Sequence, residues 1–442
     1  MKNLLFWLIA CTLLFTSCDD KGSKITIIGE NSSNIQAMES LEKEYESNHE
    51  VDLVFKPNTW EDAFNKSNQD FANKTGLYDI ILQYNFSLSS FVRNDYVYNL
   101  DELKQMTKGG DYSFEDKLFE NVWKEVGYYY KNPQSPQEGE LQSIGYPFSA
   151  NTMLLVYNKQ LFNDPQQQQA YKERYGQELS VPKDMESFYR VAEFFTQPEK
   201  DLKGIVLQGA TGGWLYYEWI SLLQGFDGKV MDKSQGWKGN ASTPILLMSP
   251  QSIEAANYYK SLKPFNAGNF TTIDAVEQRN ILEKGKVAMG IIWSDYMWGL
   301  IDEGNGKFDE RFGFAPTPGD KSIIAGGAFY INKQSKYPAA AFEYELYLMQ
   351  ETTQIKMIQQ GLCSPMKTAY DAPEVQKVPY IKALKTSLER AEYMMEAAPD
   401  ADLISNALTS ALQKIWNDEL TAEQGMQQAK EEIERGRAEL FK

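Results

Sequence analysis

The sequence predicts an α/β protein in which mostly parallel sheets are covered by helices, and three observations predict it. Short apolar runs of strand length alternate with segments of helical periodicity, the order that builds βαβ units. A length of 442 residues supplies two or three domains of roughly 150 residues, each able to bury a core. With 42% hydrophobic and 24% charged residues, the composition is that of a globular chain and not a disordered one.

The elements follow in order. Ile25–Gly29 (ITIIG) is an apolar strand, Gln36–Tyr45 has helical character, and Val51–Lys56 turns Val51, Leu53 and Phe55 to one face as the next strand. Tyr78–Leu82, Met153–Tyr157, Gly204–Gln208, Val287–Ile292 and Ala328–Ile331 read as further strands. Met185–Phe195 reads as a helix with Met185, Phe188, Ala192 and Phe195 on one face. Ser249-Pro250 opens another, an N-cap residue followed by proline at the first helical position. The C-terminal segment is helical, with Ile404, Leu408, Leu412 and Trp416 on one stripe. Lys131–Gln142 and Asp164–Gln169 are polar and Pro/Gln-rich and read as surface insertions. Parallel sheets bind ligands beyond the carboxyl ends of their strands, so the loops after each strand hold the candidate residues.

Charge and composition exclude several functions. A net charge of −17 repels nucleic-acid phosphates and argues against a nucleic-acid partner. The single histidine, His49, lies in the charged stretch Glu42–Glu50 and reads as a solvated surface residue, which leaves no base for a Ser-His-Asp or Cys-His site. Three cysteines and one histidine do not furnish a zinc site, and no metal is expected. No GxxxxGK[ST] motif is present, and no cofactor is expected. Chemistry carried by carboxylates alone stays open.

The N-terminus reads as an address. Residues 1–17 combine Lys2 with the apolar run Leu4–Phe15, too short to span a bilayer comfortably, and read as a secretory signal. Phe15-Thr16-Ser17-Cys18 resembles the bacterial lipobox, with Phe in place of the commoner Leu. That resemblance implies cleavage before Cys18 and lipid on Cys18, with residues 18–24 as a lipidated tether. An ordinary signal peptide with Cys18 incidental is the alternative. Cys11 would leave with the signal, so Cys363 would be the one remaining thiol and no internal disulfide could form. The expected location is outside the cytoplasm, lipid-anchored to the cell membrane and facing the periplasm or the cell exterior. Asp19-Asp20 leaves inner-membrane retention and surface export both open.

Several segments together resemble the extracellular solute-binding proteins of ABC transporters, family 1 or the maltose-binding-like group. They are Tyr78-Asp79-Ile80-Ile81 with Tyr98-Asn99-Leu100-Asp101; Tyr146-Pro147 followed by Leu155–Phe162; and Val181–Glu186, with Met185 where the family has Trp. Gly285-Lys286-Val287-Ala288-Met289 is the most specific piece, and Phe314–Gly319, Gly326–Ile331, Pro338–Leu348 and Gly361–Pro365 follow in order. The resemblance implies a two-lobed periplasmic-binding-protein-like fold of type II, with a hinge of crossing segments near Tyr146–Asn151, Ala325–Ala328 and Tyr370–Tyr380. Lobe 1 is expected to take residues 25–149 plus 327–378, and lobe 2 residues 150–326 plus 379–442. It further implies a monomeric, non-enzymatic binding lipoprotein that captures a solute in the interlobe cleft and delivers it to ABC-transporter permease subunits.

Aromatics make up 13% of the chain, and a sugar ring wants flat aromatics against its C–H face with carboxylates or amides at its edge. The expected solute is therefore a sugar or oligosaccharide, with a peptide, polyamine or other small solute left open; the candidate loops carry no Arg or Lys cluster for a phosphate or sulfate ester. After Gly204–Gln208 the loop Thr211–Tyr217 offers Trp214, Tyr216 and Tyr217, with packing of the following helix as the alternative; Trp219 and Ile220 read as core. After Val287–Ile292 come Trp293 and Asp295, with Trp298 divided between cleft and core. Gln83, Tyr84 and Asn85 follow Tyr78–Leu82, Glu30 and Asn31 follow the first strand, and Trp60 follows the second. Asn151 stands at the first crossing, and Gly327 lets backbone approach the cleft or hinge, or makes a plain turn. Two rival functions remain: a secreted carbohydrate-active hydrolase with paired carboxylates, and a nearly all-helical glycan-binding outer-membrane lipoprotein.

Overall fold

Among the described residues, nine strands form two central sheets. They are β1 Ser23–Glu30, β2 Val51–Asn58, β3 Ile80–Tyr84, β4 Pro147–Ser149, β5 Met153–Asn158, β6 Lys203–Val206, β7 Val287–Trp293, β8 Phe312–Pro316 and β9 Gly327–Ile331. The first sheet has the order β2-β1-β3-β9-β4 and the second β8-β5-β7-β6. The computed structural model describes residues 22–107, 109–132, 140–232, 243–302, 307–319, 321–393 and 398–441. The signal segment 1–17 and Cys18 lie outside the described residues.

The expectation of mostly parallel sheets needs correction. β1 pairs in parallel with β2 and β3, and β6 with β7, but β9 runs antiparallel to β3 and β4, and β5 antiparallel to β7 and β8. The cause is the path of the chain. It passes between the sheets from Ser149 to Met153 and again from Ile324 to Gly327. A strand that arrives from the other sheet starts at the cleft, whereas β1, β3 and β7 end there. Hence Gly327 at the start of β9 faces Tyr84 at the end of β3, and Met153 at the start of β5 faces Trp293 at the end of β7. By Tyr380, whose ring lies 5.8 Å from that of Phe314 in β8, the chain has returned to the second sheet.

The apolar runs form strands because both faces of each sheet are covered. Every residue of β7 and β9 is buried, the pattern of a central strand rather than a half-solvated one. The helix Met185–Phe195 forms as the sequence predicts, opened by a capping box of Asp184 and Ser187. Ser249 caps the helix Pro250–Ser261. The C-terminal helices Ala401–Trp416 and Ala422–Leu440 bury the predicted stripe against the second lobe, where Trp416 stacks on Phe270 at 3.8 Å between ring centroids.

Three local expectations differ. Asp164–Gln169 is no insertion: Asp164 accepts from the backbone N–H of Gln166 and Gln167 and caps the helix Pro165–Tyr175, whose Tyr171 is buried beside Phe194. Glutamine is a good helix former, and the cap and N1 proline decide the matter. The helical stretch predicted at Gln36–Tyr45 is two short helices, Ser33–Glu39 and Glu42–Glu46. Of Lys131–Gln142, residues 133–139 lie outside the described residues, while Leu141–Ser143 pairs with Tyr128–Tyr130. Two lobes each built on a central sheet also remove the nearly all-helical rival. Among the described residues no helix is long and apolar enough to cross a membrane.

Candidate functional site

The strand ends of the two sheets face each other across a cleft of about 540 Å³, its mouth included. That is the size range of small-molecule sites. On the first wall β1 delivers Glu30, and β3 delivers Tyr84, followed by Asn85 and Phe86 in a 3-10 turn. β2 leads into Thr59, whose hydroxyl accepts from the Asp62 N–H at 3.2 Å and sets Trp60 at the first turn of the helix Trp60–Asn73.

On the second wall β7 delivers Trp293, and the 3-10 turn Ser294–Gly299 carries Asp295 and Tyr296. Trp214 and Tyr217 come from the first turn of the helix Trp214–Gln224. The loop before it turns on Gly212 and Gly213, at φ 78° and 96°, a region that glycine enters without Cβ strain. Buried amides and a carboxylate pin its start. Gln208 N–H donates to Glu218 at 2.9 Å, and the Gln278 amide donates to the carbonyls of Val206 and Ile291, both at 3.0 Å. Asn151 and Ala325 complete the lining at the crossings, tied by Ala325 N–H to Asn151 C=O at 2.9 Å.

The polar groups join the walls. Glu30 accepts from the hydroxyl of Tyr84 on its own wall and from that of Tyr296 on the other, the latter at 3.1 Å. Asn151 donates to Asp295 Oδ2 at 2.9 Å and accepts from Asn34 at 3.1 Å, while Asn34 in turn accepts from the Cys363 N–H at 3.0 Å. Ser33 donates to the Asp295 carbonyl at 2.9 Å. Among the described residues, two polar atoms of lining residues are buried without a protein partner: Asp295 Oδ1 and Trp293 Nε1. With Asp295 ionised, one is an acceptor and the other a donor, and each costs free energy until something meets it.

Burial raises both carboxyls. Asp295 is pushed up to about 8, with the Glu30 charge adding to the burial and the Asn151 bond opposing it. Glu30 is raised by burial against the lowering effect of its two tyrosine donors. Tyr84 and Tyr296 are held well above the usual phenol range, first by burial and then by the Glu30 carboxylate.

Glu30, Trp60, Tyr84, Asn85, Asn151, Trp214, Tyr217, Trp293 and Asp295, all candidates from sequence, line this cleft together. Four candidates do not. Tyr216 is 1% exposed and sits in the core of the second lobe, because it points off the face that Trp214 and Tyr217 share. Gln83 is buried inside β3, where strand alternation turns it away from Tyr84 and opposite Ala328. Asn31 is exposed and accepts from the Gln36 amide at 3.1 Å. Gly327 is buried in β9 between Tyr84 and Ser149, where a Cβ would stand 2.3 Å from the Phe148 ring; it serves close packing, and Ala325 takes the lining position. Trp298 packs over Gly361 and beside Phe308, outside the cleft. Sequence reasoning missed Phe86 and Tyr296 as lining residues. Each lies one residue beyond a chosen candidate, in a loop already marked by its place after a strand.

The family model for bacterial extracellular solute-binding proteins matches residues 40–383. No curated protein sequence matches the chain. Among solved structures, it is similar to an ABC transporter solute-binding protein of Agrobacterium radiobacter in complex with ribitol: 19% identity, 94% of this chain and 99% of that one, TM-score 0.76. Maltose-bound MalE3 of T. maritima gives 17% identity over 94% and 100% of the two chains, TM-score 0.75. The GacH receptor of Streptomyces glaucescens, studied with acarbose, gives 17% identity over 95% and 98%, TM-score 0.74. At these identities the likeness establishes the fold, that of a two-lobed periplasmic binding protein.

Proposed function

The chain belongs to the bacterial extracellular solute-binding protein family, and from that premise we propose that it is the capture component of an ABC importer, taking a sugar or polyol into the interlobe cleft for delivery to a membrane permease. The observation that carries this reading is the cleft itself. Aromatic residues from both walls line it together with Asp295 and Trp293, which carry one unmet acceptor, Oδ1, and one unmet donor, Nε1, the pair that a hydroxyl-bearing ring can satisfy from its edge. The complexes of similar structures with ribitol and maltose support the same class.

The bond from Tyr296 to Glu30 joins the two walls and belongs to a closed state. A solute that touches both walls favours that state, which gives a permease a ligand-loaded form to recognise. We read the site as binding without turnover, and the chain as an exported monomer tethered by lipid on Cys18.

A thermal-shift and titration screen against sugars and polyols tests this. A ligand that binds only the native state adds RT ln(1 + [L]/Kd), about 2.7 kcal/mol at hundredfold excess over Kd. The expected result is a shifted melt with the sugar recovered intact. Consumption of the sugar would instead establish the hydrolase, and no shift with any of them would remove the carbohydrate assignment. Metabolic labelling with a fatty-acid probe tests the anchor, with Cys18→Ala expected to lose the label.

A further inference from the structure

Among the described residues, every charged side chain that lines the cleft is an acid: Glu30 and Asp295 line the main chamber, and no Lys, Arg or His is among its described lining residues. A second chamber continues from it past Trp60 and Tyr217, and there too the charged lining residues are acids, Glu61 and Asp402. Two carboxyls buried near each other without a counter-charge are unfavourable in the empty protein. Asp295 lines the chamber and is 5% exposed; its Oδ1 is buried with no protein partner, while Oδ2 is already held by Asn151. The indoles of Trp60, Trp214 and Trp293 line the same space, and indole faces attract ammonium groups.

The two unmet atoms define the ligand further. An ammonium donates to Asp295 Oδ1 but has no lone pair for Trp293 Nε1. A hydroxyl or ether oxygen accepts from Trp293 but brings no charge to the acids. A single ligand that meets both carries an amine and oxygen acceptors on one frame.

We infer that the solute of this cleft is a protonated amino sugar, its ammonium placed on the free oxygen of Asp295 and a ring or hydroxyl oxygen on the indole N–H of Trp293. The inference rests on the carbohydrate reading of the same cleft for the ring, and on the acids for the charge. Glu30 stands beside this ammonium as the second negative group, and the acids of the adjoining chamber add attraction of the same sign.

The test is isothermal titration of the full chain with matched pairs: D-glucosamine against D-glucose, D-galactosamine against D-galactose, and the fully deacetylated chitosan dimer against cellobiose. At least one amine is expected to bind about tenfold or more tightly than its neutral partner. Asp295→Asn should bring the two members of that pair to within about twofold. Should that variant fail to fold, wild type at about pH 6, where the free amino sugar is already protonated, titrated in two buffers of different ionisation heat gives the second reading: amine binding releases protons as Asp295 ionises, and neutral-sugar binding does not. Neutral sugars that bind as tightly as their amines overturn the inference and leave the carbohydrate reading standing. Tetramethylammonium or putrescine binding, with no sugar of either kind bound, keeps the cationic ligand and removes the carbohydrate. No response to any of these probes overturns both.

Discussion

Each wall of the cleft offers one buried carboxylate, and the two are used differently. Glu30, on the first wall, has both oxygens occupied by tyrosine hydroxyls, one from each wall. Asp295, on the second, has one oxygen on Asn151 and the other free. A carboxylate whose acceptors are filled by the protein is a fastener. One that keeps a bare oxygen against a chamber is a contact for a ligand. The same residue class, at the last residue of a strand on one side and two residues past a strand end on the other, thus serves closure on the first wall and, in our proposal, capture on the second.

The largest way to break this comparison is at the second wall's ring. Trp293 is buried, with its ring 5.8 Å from that of Tyr217, so Trp293→Ala leaves a cavity as well as a missing donor. Denaturant unfolding should show a loss of about 3–5 kcal/mol, the range for large aromatic truncations, and titration should show no measurable binding. Full retention of stability would mean that the ring is not part of the second wall's packing.

Exchanging the acids one at a time separates fastener from contact. Glu30→Gln turns one acceptor into a donor facing a tyrosine and should cost about 1–3 kcal/mol of stability. It should also shift the population toward the open form, read as a larger radius of gyration in ligand-free solution scattering. Asp295→Asn removes an under-satisfied buried acid, so stability should hold or rise while ligand affinity falls. If both variants lose stability equally, the distinction between the two acids fails.

Their titration sharpens the same point. Burial holds Asp295 up to about 8 in the folded chain, against roughly 3.9 for an unfolded aspartate. Across that interval the folded chain keeps a proton the unfolded chain has lost, so stability falls as pH rises from about 4 to about 8. Below the lower value both states are protonated and the contribution is at its full, flat value. The difference between wild type and Asp295→Asn in urea unfolding should therefore slope with pH by up to about 1.4 kcal/mol per unit. A difference independent of pH would show an ionised Asp295 in the empty cleft.

Much of this wall architecture is legible in the sequence because apolar strands announce where their loops begin. Trp293, Asp295 and Trp214 are placed in the cleft lining by that rule together with the family resemblance. The failures have physical causes. Tyr78-Asp79 has the look of strand, but the Asp79 carboxylate accepts from the Thr26 N–H at 2.8 Å and from the Ser335 hydroxyl at 2.6 Å, and the ladder begins only at Ile80. That two-residue offset moves Gln83 from the loop into the sheet. Tyr216 is excluded by helical geometry, since Trp214 and Tyr217 share a face and their neighbour does not. Tyr296 stands three residues after Trp293 in a 3-10 turn, where such residues eclipse, but the turn type is not written in Ser-Asp-Tyr-Met. Strand direction is a property of the crossings between lobes, and local periodicity carries no signal of it.

The smallest expected effect is also the finest test of the first wall. Asn31 follows Glu30 directly, and the sequence gives no ground for treating them differently. In the structure Glu30 turns into the cleft, whereas the Asn31 side chain lies on the outer surface against Gln36, with its own N–H spent on the carbonyl of Asn58 at 2.7 Å. Asn31→Ala removes one exposed side-chain hydrogen bond and nothing that faces a solute. Stability should stay within about 0.5 kcal/mol of wild type and the titrated affinity should be unchanged. The backbone bond to Asn58, which the substitution retains, is what holds the turn that aims Glu30. An affinity loss comparable to that of Glu30→Gln would mean that the turn after β1 presents the opposite face in the ligand-bound protein, and that the fastener assigned to Glu30 belongs to the empty state alone.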